Sequence, residues 1–533
     1  MERSINPLLN HHKIYRKVSN VINPYIFNKL PLVPLIAPAN FSASAQAVNI
    51  YDIFNSVNDI NKAYIYQFSD NVNTLTLVAG AGLTYKYGYT RSGVDYVFDV
   101  ASATNPFTAG DTKRWVLGFG TSIVLNPFQS LTNGLIWVYM HRVADFRLGS
   151  KTTLKYVHIS NSNLVTPTST QAPYAFANCS ALSGVLTVPG FWTNISSQFA
   201  NSAGSGLSGA LVIPSNVATI NDYAFASCAG FTSLALNEGL DVIGVAAFQN
   251  ANNIVGVLSL PNTVTSLGTS SFSSCVKLTG SILLSNNVII VQGNVFFNCT
   301  GLNGTFTFGN NVTAGGMAGV ISGSNMTFAA HNSTNYEVVG NVLYGKVGGI
   351  KTSLLSIPKT KTGVLAIEAT TTSIAADAAK LATGLNGALT IPNSILTIGF
   401  SAFQQCSNLT SLVLSSSLTT IGDYAFYSCS AFTGYLTISA SVTSIGASSF
   451  FNCTGFTALN LPFGYNLAQT GGNWTFNFST NFSAISLNQS ILNINSGGNT
   501  TRTITIGATN KARLLAAFPS AETNANVRGI TII

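Results

Sequence analysis

Apolar residues in the middle of this chain recur in a fixed phrase. Leu211-Val212-Ile213-Pro214 alternates inward and outward positions, which predicts a short strand, and Pro214 ends it because proline has no N–H for a further ladder position. Val217 and Ile220 turn two more apolar side chains to the core. Asn221 and Asp222 resemble a turn and helix start, since short polar side chains satisfy free N–H groups. Tyr223-Ala224-Phe225-Ala226-Ser227-Cys228 then predicts one or two helical turns, with Phe225 and Cys228 three apart on one face. Leu234 and Leu236 open the next strand. Later copies read Leu258, Leu260, Pro261, Val264, Leu267, Gly268, Phe272, and Leu412, Leu414, Leu418, Ile421, Gly422, Phe426.

Seven cysteines measure the period, each three residues after a Phe: Cys179, Cys228, Cys275, Cys299, Cys406, Cys429 and Cys453. Phe199 with Ser202, and Phe248 with Ala251, keep the pattern with a small residue in the Cys slot. The Phe positions 176, 199, 225, 248, 272 and 296 differ by 23, 26, 23, 24 and 24, and 403, 426 and 450 by 23 and 24. A unit of that length buries its apolar face only against its neighbours, so a solenoid is predicted.

Leu389-Thr390-Ile391-Pro392, Ile395, Ile398-Gly399, Ala402-Phe403, Cys406 and Leu409 resemble the BspA-like leucine-rich repeat of bacterial surface proteins. The resemblance runs over roughly residues 155 to 465, in about ten units. Residues 303–380 resemble that family's interrupted unit, with an inserted segment reading Asn335-Tyr336 and Gly340-Asn341-Val342-Leu343-Tyr344. Leu354, Pro358 and Gly363 lead back to a degenerate repeat, where Ala379, Ala382 and Leu385 replace Phe, Cys and Leu. The expected fold class is a β-rich α/β solenoid of leucine-rich repeats of about 23–24 residues, preceded by an extended arm and a small mainly-β domain.

Residues 1–40 lack a period and carry Pro7, Pro24, Pro31, Pro34 and Pro38, which reads as an extended anchoring arm. Residues 41–150 read as a β-rich attachment domain, with strands at 83–89 and 94–100. The solenoid occupies 151–465, with the interruption at about 303–380, and 466–533 is expected to be a closing cap. Within the cap, Thr503–Asn510, Leu514-Leu515 and Gly529–Ile532 read as strand, short helix and strand, and resemble the closing unit of phage structural proteins.

Composition narrows the function. Only 8% of residues are charged, against roughly 25% in an average soluble domain, so the surface must be polar but nearly uncharged. Mean hydropathy is +0.34, yet no run of about 18 apolar residues exists to span a bilayer. The net charge of +8 is scattered, and from Phe176 to Thr300 the only charged residues are Asp222, Glu238, Asp241 and Lys277. Nucleic acid, which needs a dense cationic stripe, is therefore not an expected partner. Leu30–Ala37 followed by Ala43-Ser44-Ala45 imitates a signal h-region and cleavage site, but Pro31 and Pro34 break it.

Catalytic chemistry finds no foothold. Every Cys occupies the same core slot, so the thiols are expected to be reduced and buried, and slots one rung apart are too distant for ideal bridges. His11, His12, His141, His158 and His331 lack metal-ligand spacing. Asp95 and Asp99 share one face of an expected strand, which reads as ordinary surface. No phosphate-binding or nucleophile-elbow motif occurs. No catalytic, cofactor-binding or metal residue is expected, no cofactor, and no enzyme.

What remains is an uncharged strand face, whose outward positions are Val212, Ala235, Ser259, Thr390, Val413 and Thr437. Such a face suits hydrogen bonding and van der Waals contact with a host-surface glycan or protein. The Pro-rich arm, the intact Met1 and the phage-like closing unit imply a virion structural or fibre protein at the virion surface. It would be anchored to other virion proteins through its N-terminal region, and an oligomer is compatible with this. The alternative is a BspA-type adhesin on a bacterial cell surface or secreted, for which an export signal cleaved near Ala45 would decide.

Overall fold

The computed structural model describes residues 176–462, apart from 187, 189–191 and 204–205, and 483–532, apart from 494–501, 506–507 and 528–529. Elsewhere it describes the backbone of eight strands between 14 and 160, and of Trp474–Thr475. The chain divides into two units, Met1–Val264 and Thr265–Ile533.

The first unit opens with β1 (Ile14–Tyr15), β2 (Leu32–Ala37), β3 (Ala63–Phe68), β4 (Thr84–Arg91), β5 (Val94–Val100), β6 (Thr112–Phe119), β7 (Leu135–His141) and β8 (Tyr156–Ser160). Next come β9 (Ser183–Leu186), β10 (Asn194–Ile195) and β11 (Gly206–Leu207). One sheet takes the order β1-β5-β4-β6-β3-β7-β8-β2-β9-β11. The strands expected near 83–89 and 94–100 are β4 and β5, an antiparallel pair with Arg91 opposite Val94.

Two segments of the expected extended anchoring arm pair as strands. Ile14 pairs with Phe98, and β2 lies antiparallel between β8 and β9, with Val33 opposite Ile159 and Ile36 opposite both Val157 and Leu186. A continuous apolar run suits a strand flanked on both sides, and the ladder accommodates Pro34 by shifting register between Val33 and Ile36. The rest of residues 1–40 lies outside the described residues.

Each repeat is one rung with three sides. The first side is the predicted strand: Ala210–Ile213 lies parallel to Ser233–Leu236, with Leu211 beside Leu234 and Ile213 beside Leu236. In the second unit Gly387–Thr390 lies beside Leu409–Val413, and Gly434–Thr437 beside Phe456–Asn460. The second side is a two-residue strand, as in the parallel ladder Ser373–Ile374, Thr397–Ile398, Thr420–Ile421, Ser444–Ile445.

The third side, expected to be helical, is a pair of turns. Tyr223 and Ser227, flanking Phe225 at two residues' distance, have φ of +57° and +56°, which no right-handed helix contains. The N–H groups of Ala224, Ala226 and Cys228 donate back to Asn221, Tyr223 and Phe225 within the turns. Those of Tyr223, Phe225 and Ser227 donate sideways to Val245, Ala247 and Gln249 of the next rung. Every backbone donor is satisfied, half locally and half by the neighbour. The same alternation holds at Ser401–Cys406 and Tyr424–Cys429. An i,i+3 spacing belongs to such turns as well as to helices, which is why the sequence pattern did not separate them. Among the described residues α-helices occur only at Ala484–Asn493, Ala508–Ala517 and Ala521–Val527.

The Phe column fills the core. Phe225 and Phe248 stack at 5.5 Å, Phe272 and Phe296 at 5.6 Å, Phe403 and Phe426 at 5.4 Å, Phe426 and Phe450 at 5.2 Å, all fully buried. In the degenerate repeat Ala379, Ala382 and Leu385 occupy the same buried column. The interruption is an antiparallel meander, Tyr336–Val339, Val342–Val347 and Ile350–Ser356, whose last strand rejoins the parallel ladder with Leu354 beside Ile374. Gly340 and Asn341, with φ of +54° and +64°, form its first tight turn, and Gly348 and Gly349, at +59° and +80°, its second.

At the C-terminal end, helix Ala484–Asn493 covers the last rung. Ser490 Oγ donates to the Leu459 carbonyl at 2.7 Å, and Leu487 and Ile491 join the repeat core. Strand Arg502–Thr505, two helices and strand Ile530–Ile532 follow, the strands parallel, close to the expected strand–helix–strand order.

Candidate functional site

No sequence-predicted catalytic or metal residues exist to place, and among the described residues no group of three His, Cys, Asp or Glu has metal-holding geometry. None of the seven cysteines is in a disulfide, and all are buried. Burial pushes those of Cys228, Cys299 and Cys406 up to about 12, partly offset by backbone hydrogen bonds, and raises Cys429 and Cys453 likewise. Cys406 Sγ donates to Ala379 O, Cys429 Sγ to Phe403 O and Cys453 Sγ to Phe426 O, each at 3.0 Å. The Cys slot is thus a hydrogen-bonded core position tying each rung to the previous one.

His331 lies on the Phe308 ring, 4.0 Å between centroids, and burial, then the nearby Lys346, holds it below the ordinary histidine range. Asp95, Asp99, His141 and His158 sit on β5, β7 and β8, with Asp95 opposite Thr90 and Asp99 opposite Lys86. His11 and His12 lie outside the described residues.

The strand face is where the alternation placed it. Val212, Ala235 and Ser259 in the first unit, and Thr390, Val413 and Thr437 in the second, are all exposed, while their strand neighbours Leu211, Ile213, Leu389 and Leu436 are buried. Parallel register puts Thr390 beside Val413 and Thr437 beside Asn460. Leu283 and Tyr435 add apolar bulk, 69% and 68% exposed. Thr433 Oγ1 donates to Thr410 O and Thr457 Oγ1 to Gly434 O, both at 3.1 Å, so these hydroxyls are fixed in place.

A second surface was not singled out in the sequence. Phe400, Tyr424, Tyr427 and Phe451 meet in series on the turn side, with centroids 5.7, 5.7 and 5.1 Å apart. Tyr424 and Tyr427 are three apart in one turn, Tyr427 and Phe451 hold the same position in successive repeats, and Phe400 reaches Tyr424 from an unlike position one rung earlier. One rung before Phe400, Asp377, whose N–H donates to the Phe400 carbonyl, pairs with Lys380 at 3.2 Å; from Leu381 to Thr501 the sole Asp, Glu, Lys or Arg is Asp423. Its Oδ1 accepts the Ala447 N–H at 2.7 Å, a structural tie between rungs.

The geometry defines a leucine-rich-repeat solenoid with two uncharged exposed surfaces. The family described as the BspA type leucine rich repeat region matches in six copies over residues 196–317 and 374–499. The chain is similar to a leucine rich cell surface protein from Faecalibacterium prausnitzii (21% identity, 48% of this chain and 79% of that one, TM-score 0.33). It is similar too to the pneumococcal vaccine antigen PcpA (17%, 64% and 84%, TM-score 0.41) and to a leucine-rich repeat protein from Bacteroides ovatus (19%, 70% and 89%, TM-score 0.30). No curated protein matches. Among the described residues no helix is long and apolar enough to cross a membrane.

Proposed function

We propose that this chain is a non-enzymatic, adhesin-like protein of a bacterial cell surface, or secreted from it, that binds a host protein or glycan through its solenoid. The observation that carries the reading is the strand face: small, β-branched and hydroxyl side chains, exposed in register, on BspA-type repeats. Such a face gains affinity from hydrogen bonds and close packing, with little dependence on salt. The virion reading has no support from the family match, and the closing segment is explained by covering the last rung of the solenoid.

The test is binding of the full chain to immobilised host-matrix proteins and glycans, with and without Thr390→Glu and Val413→Glu. Binding that persists well above physiological salt and is lost in the variants supports the proposal. Binding confined to low salt, or unchanged by the variants, contradicts it.

A further inference from the structure

We infer that the strip Phe400–Tyr424–Tyr427–Phe451 is a binding site for a neutral oligosaccharide, whose pyranose rings lie on the aromatic side chains. It shares with the adhesin reading only the premise that the solenoid binds, and it occupies a different side of the rungs.

Phe451 packs against the core, but the exposed rings of the strip do not. Phe403, Phe426 and Phe450 already fill the core of these three rungs with fully buried rings. Phe400 and Tyr424 are nevertheless 46% and 37% exposed, although aromatic side chains gain most when buried. Phe400 meets Tyr424 edge-on at 72°, Tyr427 is tilted 58° to Tyr424, and Phe451 stacks on Tyr427 at 16°. The result is a line of rings crossing from rung to rung, a shape that matches a chain ligand better than a broad patch.

The flanks suit hydroxyls. Gln404 holds, one rung earlier, the register position of Tyr427, and Gln405, Ser428 and Asn452 share the next column. Asn452 Nδ2 donates to Ser428 Oγ at 3.1 Å, leaving the amide oxygen to accept. Amide side chains offer donors and acceptors together, as vicinal sugar hydroxyls require.

Charge decides between a glycan and a protein. Protein surfaces carry charged residues at about a quarter of positions, and each one covered by this region would be desolvated without a counter-ion. Asp423, the one charge between Leu381 and Thr501, is already engaged with Ala447. A neutral oligosaccharide brings apolar C–H faces for the rings, hydroxyls for the amides and no charge to desolvate.

The experiment is calorimetric titration of the full chain with cellohexaose, maltohexaose and mannohexaose, with a heparin hexasaccharide as charged comparison. Saturable binding of at least one neutral hexasaccharide is expected, insensitive to salt. Tyr427→Ala and Phe400→Ala should each weaken it about tenfold, and Tyr424→Phe should keep it within about threefold. Because Tyr424 has φ +56°, the ring deletions are made at Tyr427 and Phe400, which leaves the left-handed positions untouched, and an unaltered melting midpoint certifies their fold. The inference is overturned by binding to heparin alone, by no saturable neutral ligand, by wild-type affinity in Tyr427→Ala, or by strip variants that lose only a protein ligand. Glycan binding through the strip alongside strand-face variants that still hold host surfaces would overturn the strand-face reading and leave this one standing.

Discussion

The thiol of Cys429 donates a 3.0 Å hydrogen bond to the carbonyl oxygen of Phe403, whose ring stacks on Phe426 in the same rung as Cys429. The repeat phrase F-x-x-C is therefore one device in two parts: a ring that packs on the previous ring and a thiol that closes on the previous backbone.

The thiols make the first prediction. Native protein at neutral pH should resist thiol reagents until unfolded, because burial keeps the thiolate form inaccessible. In the unfolded chain these groups ionise near 9.0, whereas in the fold Cys228, Cys299 and Cys406 hold their protons to about 12. Their contribution to stability is thus complete below pH 9 and is lost as pH rises from 9 towards 12. Denaturation midpoints measured across that range should fall more gently in Cys406→Ala than in wild type. Rapid labelling of several native thiols would contradict the assignment.

The ring column makes the second. Phe426→Ala removes a side chain stacked on both Phe403 and Phe450, and should cost about 3–5 kcal/mol. Rungs couple chiefly to neighbours, so hydrogen exchange should rise around residues 400–455 and remain low near Phe296. A uniform rise over the second unit would show a globally cooperative core instead.

A third prediction concerns the glycine that follows the second-side strand in five rungs, Gly244, Gly268, Gly399, Gly422 and Gly446. A Cβ on Gly422 would lie 2.7 Å from the Gly399 carbonyl carbon and from Phe400 N, backbone that has nowhere to move. Gly422→Ala should cost roughly 1–3 kcal/mol by forcing the rungs apart. Gly434→Ala is the informative partner: nothing lies within 4 Å, and only its φ of +77° opposes the substitution, at about 1–2 kcal/mol. Equal midpoints for Gly422→Ala and wild type would refute the close-approach argument.

Sequence pattern and structure agree where the physics is local. Period-two alternation maps directly onto faces, so Leu211 and Ile213 inside and Val212 outside could be read without coordinates, as could the shared slot of Phe403 and Cys406. The turn side was misread because Phe225 and Cys228 are three apart in a turn and in a helix alike, and only the left-handed Tyr223 and Ser227 distinguish them. Phe400, Tyr424, Tyr427 and Phe451 escaped because the aromatic residues are not a feature of the repeat phrase, and the contacts of Phe400 with Tyr424 and of Tyr427 with Phe451 are made only by rung stacking. Leu32–Ala37 escaped because its partners, Tyr156–Ser160 and Ser183–Leu186, lie far along the chain, and no local signal announces a strand pairing of that range.

That last pairing makes the final prediction. An extended anchoring arm that packed on nothing in its own chain would be removable without loss of fold. β2 is instead hydrogen-bonded on both sides, antiparallel to β8 through Val33 and Ile159, and antiparallel to β9 through Ile36 and Leu186. β9 is itself parallel to β11, with Gly206 beside Ser183, so β2 covers the edge from which the strand ladder of the first repeats begins. An uncovered edge presents unpaired N–H and C=O groups to any other chain, and an uncapped solenoid end invites the same association. Deleting residues 1–40 should therefore convert a well-behaved protein into one that aggregates or is nicked near 156–186, while a deletion ending at residue 12 spares both strands and should be tolerated. Size-exclusion chromatography and limited proteolysis of the two truncations distinguish the cases. A monodisperse, protease-resistant chain lacking residues 1–40 would show that β2 is dispensable and return the segment to the role of a free arm.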